Sequence, residues 1–462
     1  MKPSHLALAL LALPLAACAA PGNATDGRHD AATFYATTSY AGASFSPDGR
    51  SLLVTSDASG VFNAYTLSLA DRTLSPLTQS STDACNTIGY FPADERVLYT
   101  ADQGGNEQNH LYVRLPDGTI HDLTPGEKLK ASFAGWASDG RTFFALSNER
   151  DPQAFDLYRY HFTASGAGVG SEVAPGFRRE LLLQNPGGYD LADVSGDGKL
   201  VALVKNVSNA DSDVYLARPG VEKLEHVTPH HGRVTHGVAD FSPDGKTLYY
   251  TTNEGGEFDS VWSYDIGART HAPVLAADWD VTGYSFSDDG RFLTTTVNAD
   301  ARTIVRVFEV AGGREVILPK LPAGDITGVA FERGKARMAC YVNGDRSPSN
   351  LYLVDLDKGT HERLTDALDP AIAEEELVEA EVVRYPSFDG LPIPALLFRP
   401  HGSSAAARAP AVVYVHGGPG GQTRRGYNPT IQHLVNHGYA VLAVNNRGSS
   451  GYGKTFFHLD DR

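Results

Sequence analysis

From residue 44 to residue 343 one alternation of apolar and polar positions recurs. It reads SFSPDGRSLLVTSD at 44–57, WASDGRTFFALSN at 136–148, VSGDGKLVALVKN at 194–206, FSPDGKTLYYTTN at 241–253 and FSDDGRFLTTTVN at 286–298. Each copy sets a short strand ending in Asp-Gly against an apolar strand that begins two residues later. Asp-Gly between two such runs predicts a hairpin through a type I′ turn, whose central residues both need φ > 0. Two less regular copies, FPADERVLYTAD at 91–102 and FERGKARMACYVN at 331–343, bring the number to seven. The turn positions Asp48, Asp94, Asp139, Asp197, Asp244, Asp289 and Arg333 lie 44–47 residues apart, except for one interval of 58 that holds a Gly/Ala/Ser-rich insertion at 163–172.

A third strand follows each hairpin, as in NAYTLSL, HLYVRL and DVYLARP, and a fourth closes toward Leu-Thr or Val-Thr in most copies. Four short strands per unit, at a period in the mid-forties, predict a β-propeller with seven blades over residues 40–370. A β-solenoid needs a shorter period, and a sandwich does not repeat in sequence.

The pattern then changes. An acidic stretch at 371–378 marks the boundary, and EVVRYPSFDG with LPIPALLFRP predicts two strands about the turn Asp389-Gly390. The run VVYV at 412–415 reads as a fully buried strand. It enters HGGPGG at 416–421, which can neither continue a strand nor begin a helix. Residues 426–437 predict an amphipathic helix with Ile431, Leu434 and Val435 inward and Gly438 just past its end. YAVLAVN at 439–445 is a further buried strand, and NRGSSGY at 446–452 is the loop after it. Strands followed by strand–helix–strand are how an α/β-hydrolase sheet begins. The expected fold is therefore an all-β seven-bladed β-propeller followed by the incomplete N-terminal half of an α/β-hydrolase domain over 371–462. A glycine-rich loop leaving a buried strand aims backbone N–H groups above the sheet, the arrangement of an oxyanion hole.

Composition narrows the partners. The chain has 39 basic and 55 acidic residues, a net charge of −16, and no basic stripe, which argues against nucleic acid or an anionic membrane surface. The N-terminus carries Lys2, an apolar run at 6–15 too short to span a bilayer, and Leu15-Ala16-Ala17-Cys18. That tetrad resembles the lipobox of bacterial lipoproteins. The resemblance implies a signal segment at 1–20, lipidation at Cys18, a tether and lead-in at 21–39, and residence on the periplasmic face of the outer membrane; ordinary cleavage to a soluble periplasmic form is the alternative. Cys85 and Cys340 are too few for a disulfide framework and are expected as buried thiols.

Few side chains stand out as chemistry. Glu107 and Glu257 lie between the second and third strands of their units, where a carboxylate could hold a peptide's amino terminus or be a solvated turn residue. His226, His230, His231 and His236 cluster in sequence, but their spacing fits no tight ligand pair and no acidic partner is interleaved, so no metal is expected.

Three segments together are specific. YPSFDGLPIPALLFRP, VVYVHGGPGG and AVLAVNNRGSSGYGKTF, in this order behind the repeats, resemble the first half of the catalytic domain of the prolyl oligopeptidase (S9) family of serine peptidases, nearest its acylaminoacyl-peptidase and dipeptidyl-peptidase branch. The resemblance implies oligopeptide substrates, no cofactor, Gly418 as an oxyanion donor and His416 as a structural residue rather than the triad histidine. It also implies an Arg447 that ties backbone carbonyls near the domain interface, with direct substrate contact a lesser option. Ser449 and Ser450 do not form G-x-S-x-G, and no such motif occurs anywhere in the chain. Hence the expectation of a peptidase lacking its Ser/Asp/His triad, inactive as it stands. A non-catalytic propeller lipoprotein similar to TolB, acting as a binding scaffold, is the other reading.

Overall fold

The computed structural model describes residues 28–163, 169–418 and 420–460. Segment 1–20 with Cys18, and residues 164–168 of the insertion, lie outside the described residues. Among the described residues, seven antiparallel sheets follow one another at 40–76, 85–122, 131–183, 190–226, 236–275, 280–316 and 325–363. Six have four strands in sequential order. The third has five, because Ser171–Ala174 adds an outer strand beside Phe177–Leu183.

The first strands of the first and second, third and fourth, fourth and fifth, and fifth and sixth sheets lie against each other, and Tyr40–Phe45 also packs on Asp325–Phe331, so the first sheet meets the seventh. There the Tyr341 hydroxyl donates to the Gly42 carbonyl at 2.6 Å and Arg337 to the Gly49 carbonyl at 2.9 Å. Bulges on the inner strands reach across to the next sheet. The Ser44 hydroxyl oxygen accepts the Tyr90 N–H at 3.0 Å, Asp193 accepts that of Phe241 at 3.1 Å, and Asp240 accepts that of Phe286 at 2.8 Å. Cys85 and Cys340 are both buried free thiols, and burial pushes Cys340 up to about 12.

The hairpin turns differ from the predicted type I′. Gly49, Gly198, Gly245 and Gly290 take positive φ, near +70°, while the aspartates before them do not. Asp48 works through its side chain instead, accepting from the Ser46 hydroxyl at 2.7 Å and the Arg50 N–H at 3.0 Å. Ser195/Asp197, Ser242/Asp244 and Ser287/Asp289 repeat the bond between the two side chains. Aspartate is selected here as an acceptor for its own turn, not for tolerance of left-handed backbone.

The last sheet has the order Glu381–Pro386, Pro392–Phe398, Ala440–Val444, Ala411–Val415, with the final pair parallel. Helix α2 (Pro429–Asn436) covers one face, burying Ile431 and Val435 against Leu396, Phe398, Val441 and Ala443. It starts three residues later than predicted, because Asn428 caps it by accepting the Ile431 N–H at 3.1 Å and Pro429 takes the first helical position. The strand Ala411–Val415 is not fully buried as its sequence suggests. It is an edge strand, and Val413 and Val415 are 62% and 61% exposed. Only the Val412/Tyr414 face turns inward, and a β-branched run reads the same whether one face or both are covered.

Two long-range contacts seat this module. Asp345, 1% exposed in its side chain at the hairpin tip of the seventh sheet, accepts from Ala380 N–H at 3.0 Å, Gly426 N–H at 2.8 Å and the Arg425 guanidinium at 2.7 Å. From the N-terminal side, helix α1 (Ala31–Tyr35) buries Phe34 completely against Ile372, Leu377 and Tyr427. The Tyr427 hydroxyl donates to the Phe34 carbonyl at 2.9 Å.

Candidate functional site

The glycine-rich loop leaves the C-terminal end of Ala411–Val415, beside its parallel neighbour. Two side chains fix its course. The His416 Nδ1 donates to the Gly417 carbonyl at 2.8 Å, since a carbonyl can only accept, and Nε2 stands 2.9 Å from the Ser449 hydroxyl oxygen. Ser449 is fully buried and donates to the Asn446 carbonyl at 2.6 Å. The Ser450 N–H closes the stitch on the Gly421 carbonyl at 3.1 Å. A serine beside a histidine invites a nucleophilic reading, but no substrate atom reaches an oxygen with no exposed surface. A Cβ at Gly421 would overlap the Gly417 carbonyl oxygen and His416 Nδ1, so glycine is required where the loop folds back on itself. Gly418, at the exposed crest, has an N–H with no acceptor among the described residues.

Asn445, which sequence reasoning passed over, is buried under this loop. Its side chain accepts the Thr423 N–H at 2.7 Å and donates to the Thr423 carbonyl at 3.1 Å and the Tyr452 hydroxyl at 2.9 Å. Burial pushes the Tyr452 phenol up to about 12. Arg447 meets a carboxylate rather than carbonyls. Its guanidinium pairs with Asp389 in the turn after Glu381–Pro386 and lies 4.9 Å over the Phe388 ring. That hydrogen bond holds the Asp389 carboxyl below the usual carboxylate range.

Glu257 is brought to the same region. It accepts from the Thr455 N–H at 2.9 Å and hydroxyl at 2.8 Å, and its carbonyl takes the Lys454 N–H at 2.7 Å. Both residues begin the short helix α3 (Lys454–Phe457), whose Phe457 ring packs under Gly420. These bonds hold the Glu257 carboxyl below its ordinary value. Beside it Asp259, pushed up to about 6 by burial and by Asp280, donates its N–H to Asp280 at 2.9 Å, a half-buried carboxyl pair that sequence reasoning missed. Glu107 stands apart. It is exposed on the loop between Val97–Ala101 and His110–Arg114, at φ +60°.

Three of the four clustered histidines are committed elsewhere, and His231 is exposed. His226 bonds Asp213 at 2.7 Å, His230 bonds Asp211 at 3.1 Å, and His236 Nδ1 donates to the Ser212 carbonyl at 2.9 Å. The acidic partners absent from the local sequence come from the paired strand Asp211–Arg218.

No family model matches this sequence. Dipeptidyl aminopeptidase BIII of Pseudoxanthomonas mexicana is 29% identical over 429 residues, 89% of this chain and 60% of that protein. Dipeptidyl-peptidase 5 of Aspergillus oryzae is 25% identical over 298 residues, 58% of this chain and 40% of the relative. The fold agrees. A prolyl endopeptidase structure superposes with a TM-score of 0.72 at 19% identity, covering 92% of this chain and 64% of the other. By these matches the chain is similar to peptidases of the prolyl oligopeptidase (S9) type. Another structure of this fold, a puromycin-hydrolysing peptidase of Mycobacterium tuberculosis, gives a TM-score of 0.68 at 17% identity, covering 92% of this chain and 69% of that one. The chain spans about 60% of the length of dipeptidyl aminopeptidase BIII and less of the fungal relatives.

Proposed function

We propose that this chain supplies the substrate-admitting and oxyanion-binding parts of an exported serine peptidase that acts on short peptides. The seven sheets form the blades of a propeller, and residues 371–462 form the first half of an α/β-hydrolase domain. The observation that carries this reading is the unengaged Gly418 N–H at the crest of HGGPGG, on the C-terminal side of a parallel strand pair. A peptide carbonyl attacked by a nucleophile becomes an oxyanion, and a fixed backbone N–H stabilises that charge at the moment it develops. His416, Ser449 and Asn445 keep the loop in one shape and so act on Gly418 by positioning.

The sequence has no G-x-S-x-G elbow. The triad is therefore proposed to lie outside these 462 residues, which alone are proposed to be inactive, since oxyanion binding without a nucleophile leaves a small part of the rate. Export through the N-terminal segment, with lipid on Cys18, belongs to the same proposal.

A fluorophosphonate probe tests it. The product of an open reading frame that extends through a G-x-S-x-G should be labelled and should cleave dipeptidyl or acyl-peptide reporters, while the 462-residue chain should not. Labelling of the 462-residue chain at Ser449 or Ser450 would refute the assignment. Incorporation of labelled palmitate that is lost in Cys18→Ala checks the anchor.

A further inference from the structure

A cavity of about 210 Å³ opens where the sixth and seventh sheets meet the C-terminal module. Arg302, Arg346, Arg363 and Arg425 all line it. Two of them are committed. Arg425 is held by Asp345 at 2.7 Å, and Arg363 by the Thr365 carbonyl at 2.9 Å and Glu374 at 3.3 Å. The other two are not. Arg346 donates only from Nε, to the Glu374 carbonyl at 2.7 Å. The Arg302 guanidinium has no hydrogen-bond acceptor or carboxylate within bonding distance among the described residues, and reaches Asp325 and Asp345 only through longer-range attraction.

Three of the four carboxylates on the wall, those of Asp325, Asp345 and Glu374, are already occupied. Asp345 takes the Ala380 and Gly426 N–H groups together with Arg425, and Asp325 takes the Thr303 N–H at 2.7 Å. Glu379 is half-exposed, 3.9 Å from Arg425. Without bonded partners along this lining are the Nη groups of Arg346 and the Arg302 guanidinium, with the Asn343 amide and, toward solvent, Glu379 beside them. A guanidinium fork matches the paired oxygens of an oxyanion, and partial exclusion of water strengthens the match.

We propose that this cavity binds a small oxyanion, phosphate or carboxylate, between Arg302 and Arg346. Its ligands come from the start of Arg302–Glu309 in the sixth sheet and from the hairpin tip of the seventh, against a wall formed by Arg425 of the C-terminal module. An anion seated there bridges all three and stiffens the junction. The proposal does not depend on the peptidase reading.

Calorimetric titration of the 462-residue chain with sodium phosphate, and separately with sodium acetate, tests it, with sodium chloride at matched ionic strength as the control. One of the two anions should bind saturably and raise the melting temperature beyond the chloride control, and which one does so identifies the class. Phosphate also stabilises proteins by exclusion from their surface, but that effect does not saturate. R302Q and R346Q should each weaken binding at least tenfold, R302Q with the melting temperature in anion-free buffer unchanged and R346Q with a small drop from loss of the Nε bond to the Glu374 carbonyl. If R346Q disturbs folding by losing the Nε bond to the Glu374 carbonyl, R302Q carries the test, because the Arg302 guanidinium has no bonded partner to lose. Absence of saturable binding of either anion, or equal binding by R302Q and the parent, overturns the proposal.

Discussion

Asp240→Asn isolates the energetic cost of the inner-strand latches. Asp240 sits on the bulge of His236–Phe241 and holds the fifth sheet to the sixth through the Phe286 N–H at 2.8 Å. Burial, with a lesser contribution from Asp193, pushes its carboxyl up to about 7 from an ordinary value of 3.8. A carboxyl with a raised folded-state value binds more protons folded than unfolded between those two limits. Its contribution is therefore fully present below about pH 4 and is lost as the pH rises through about 7. Three pK units at about 1.4 kcal/mol each bound the loss at ~4 kcal/mol. Asparagine keeps the acceptor for Phe286 and removes the charge, but turns an amide N–H toward the Phe241 N–H that also faces this carboxylate. A net gain of about 2 kcal/mol at pH 8 is expected, with none at pH 4. Urea midpoints of parent and variant at the two pH values, followed by tryptophan fluorescence, give the difference, and Trp262 reports from the same sheet. A variant-minus-parent difference that is the same at pH 4 and pH 8 would refute the reasoning.

Asp345→Ala removes the acceptor of the Ala380 and Gly426 N–H groups and leaves Arg425 buried without its partner. A loss of about 3–5 kcal/mol is expected, read as a lower urea midpoint with faster amide exchange at 376–383 and 424–432. Gly421→Ala forces the loop off the Gly417 carbonyl and the His416 ring. It should cost ~1–3 kcal/mol and shift the His416 ring resonances in NMR as the contact with Ser449 breaks. Phe34→Ala empties a fully buried ring site and should cost about 3–5 kcal/mol, with faster proteolytic cleavage within residues 28–38.

The seven-fold repeat was legible because each unit carries its own turn chemistry. Ser, Asp and Gly at fixed offsets satisfy one another within five residues, so a local pattern reports a local structure. The same locality explains the errors. Asp-Gly identified the turn, but the distinction between a left-handed aspartate and one that bonds through its side chain lies in backbone angles the pattern does not encode. The exposure of Val413 and Val415 depends on which strands flank Ala411–Val415, and composition does not carry neighbour order. Little that is local marks Asp345, Phe34 or Asn445, because most of their partners lie 22 to hundreds of residues away. Glu257 was noticed for its charge, but its partner Thr455 lies 198 positions along the chain.

The edge strand Ala411–Val415 bears on how this polypeptide behaves in solution. One margin of its backbone has N–H and C=O groups that meet no neighbouring strand among the described residues, and two valines stand out from the surface beside them. Any extended segment from another molecule can extend that ladder. The main opposing force is mutual repulsion between molecules that each carry −16, and added salt screens it. Colloidal shelf life should therefore shorten as ionic strength rises, with light scattering increasing before any loss of secondary structure.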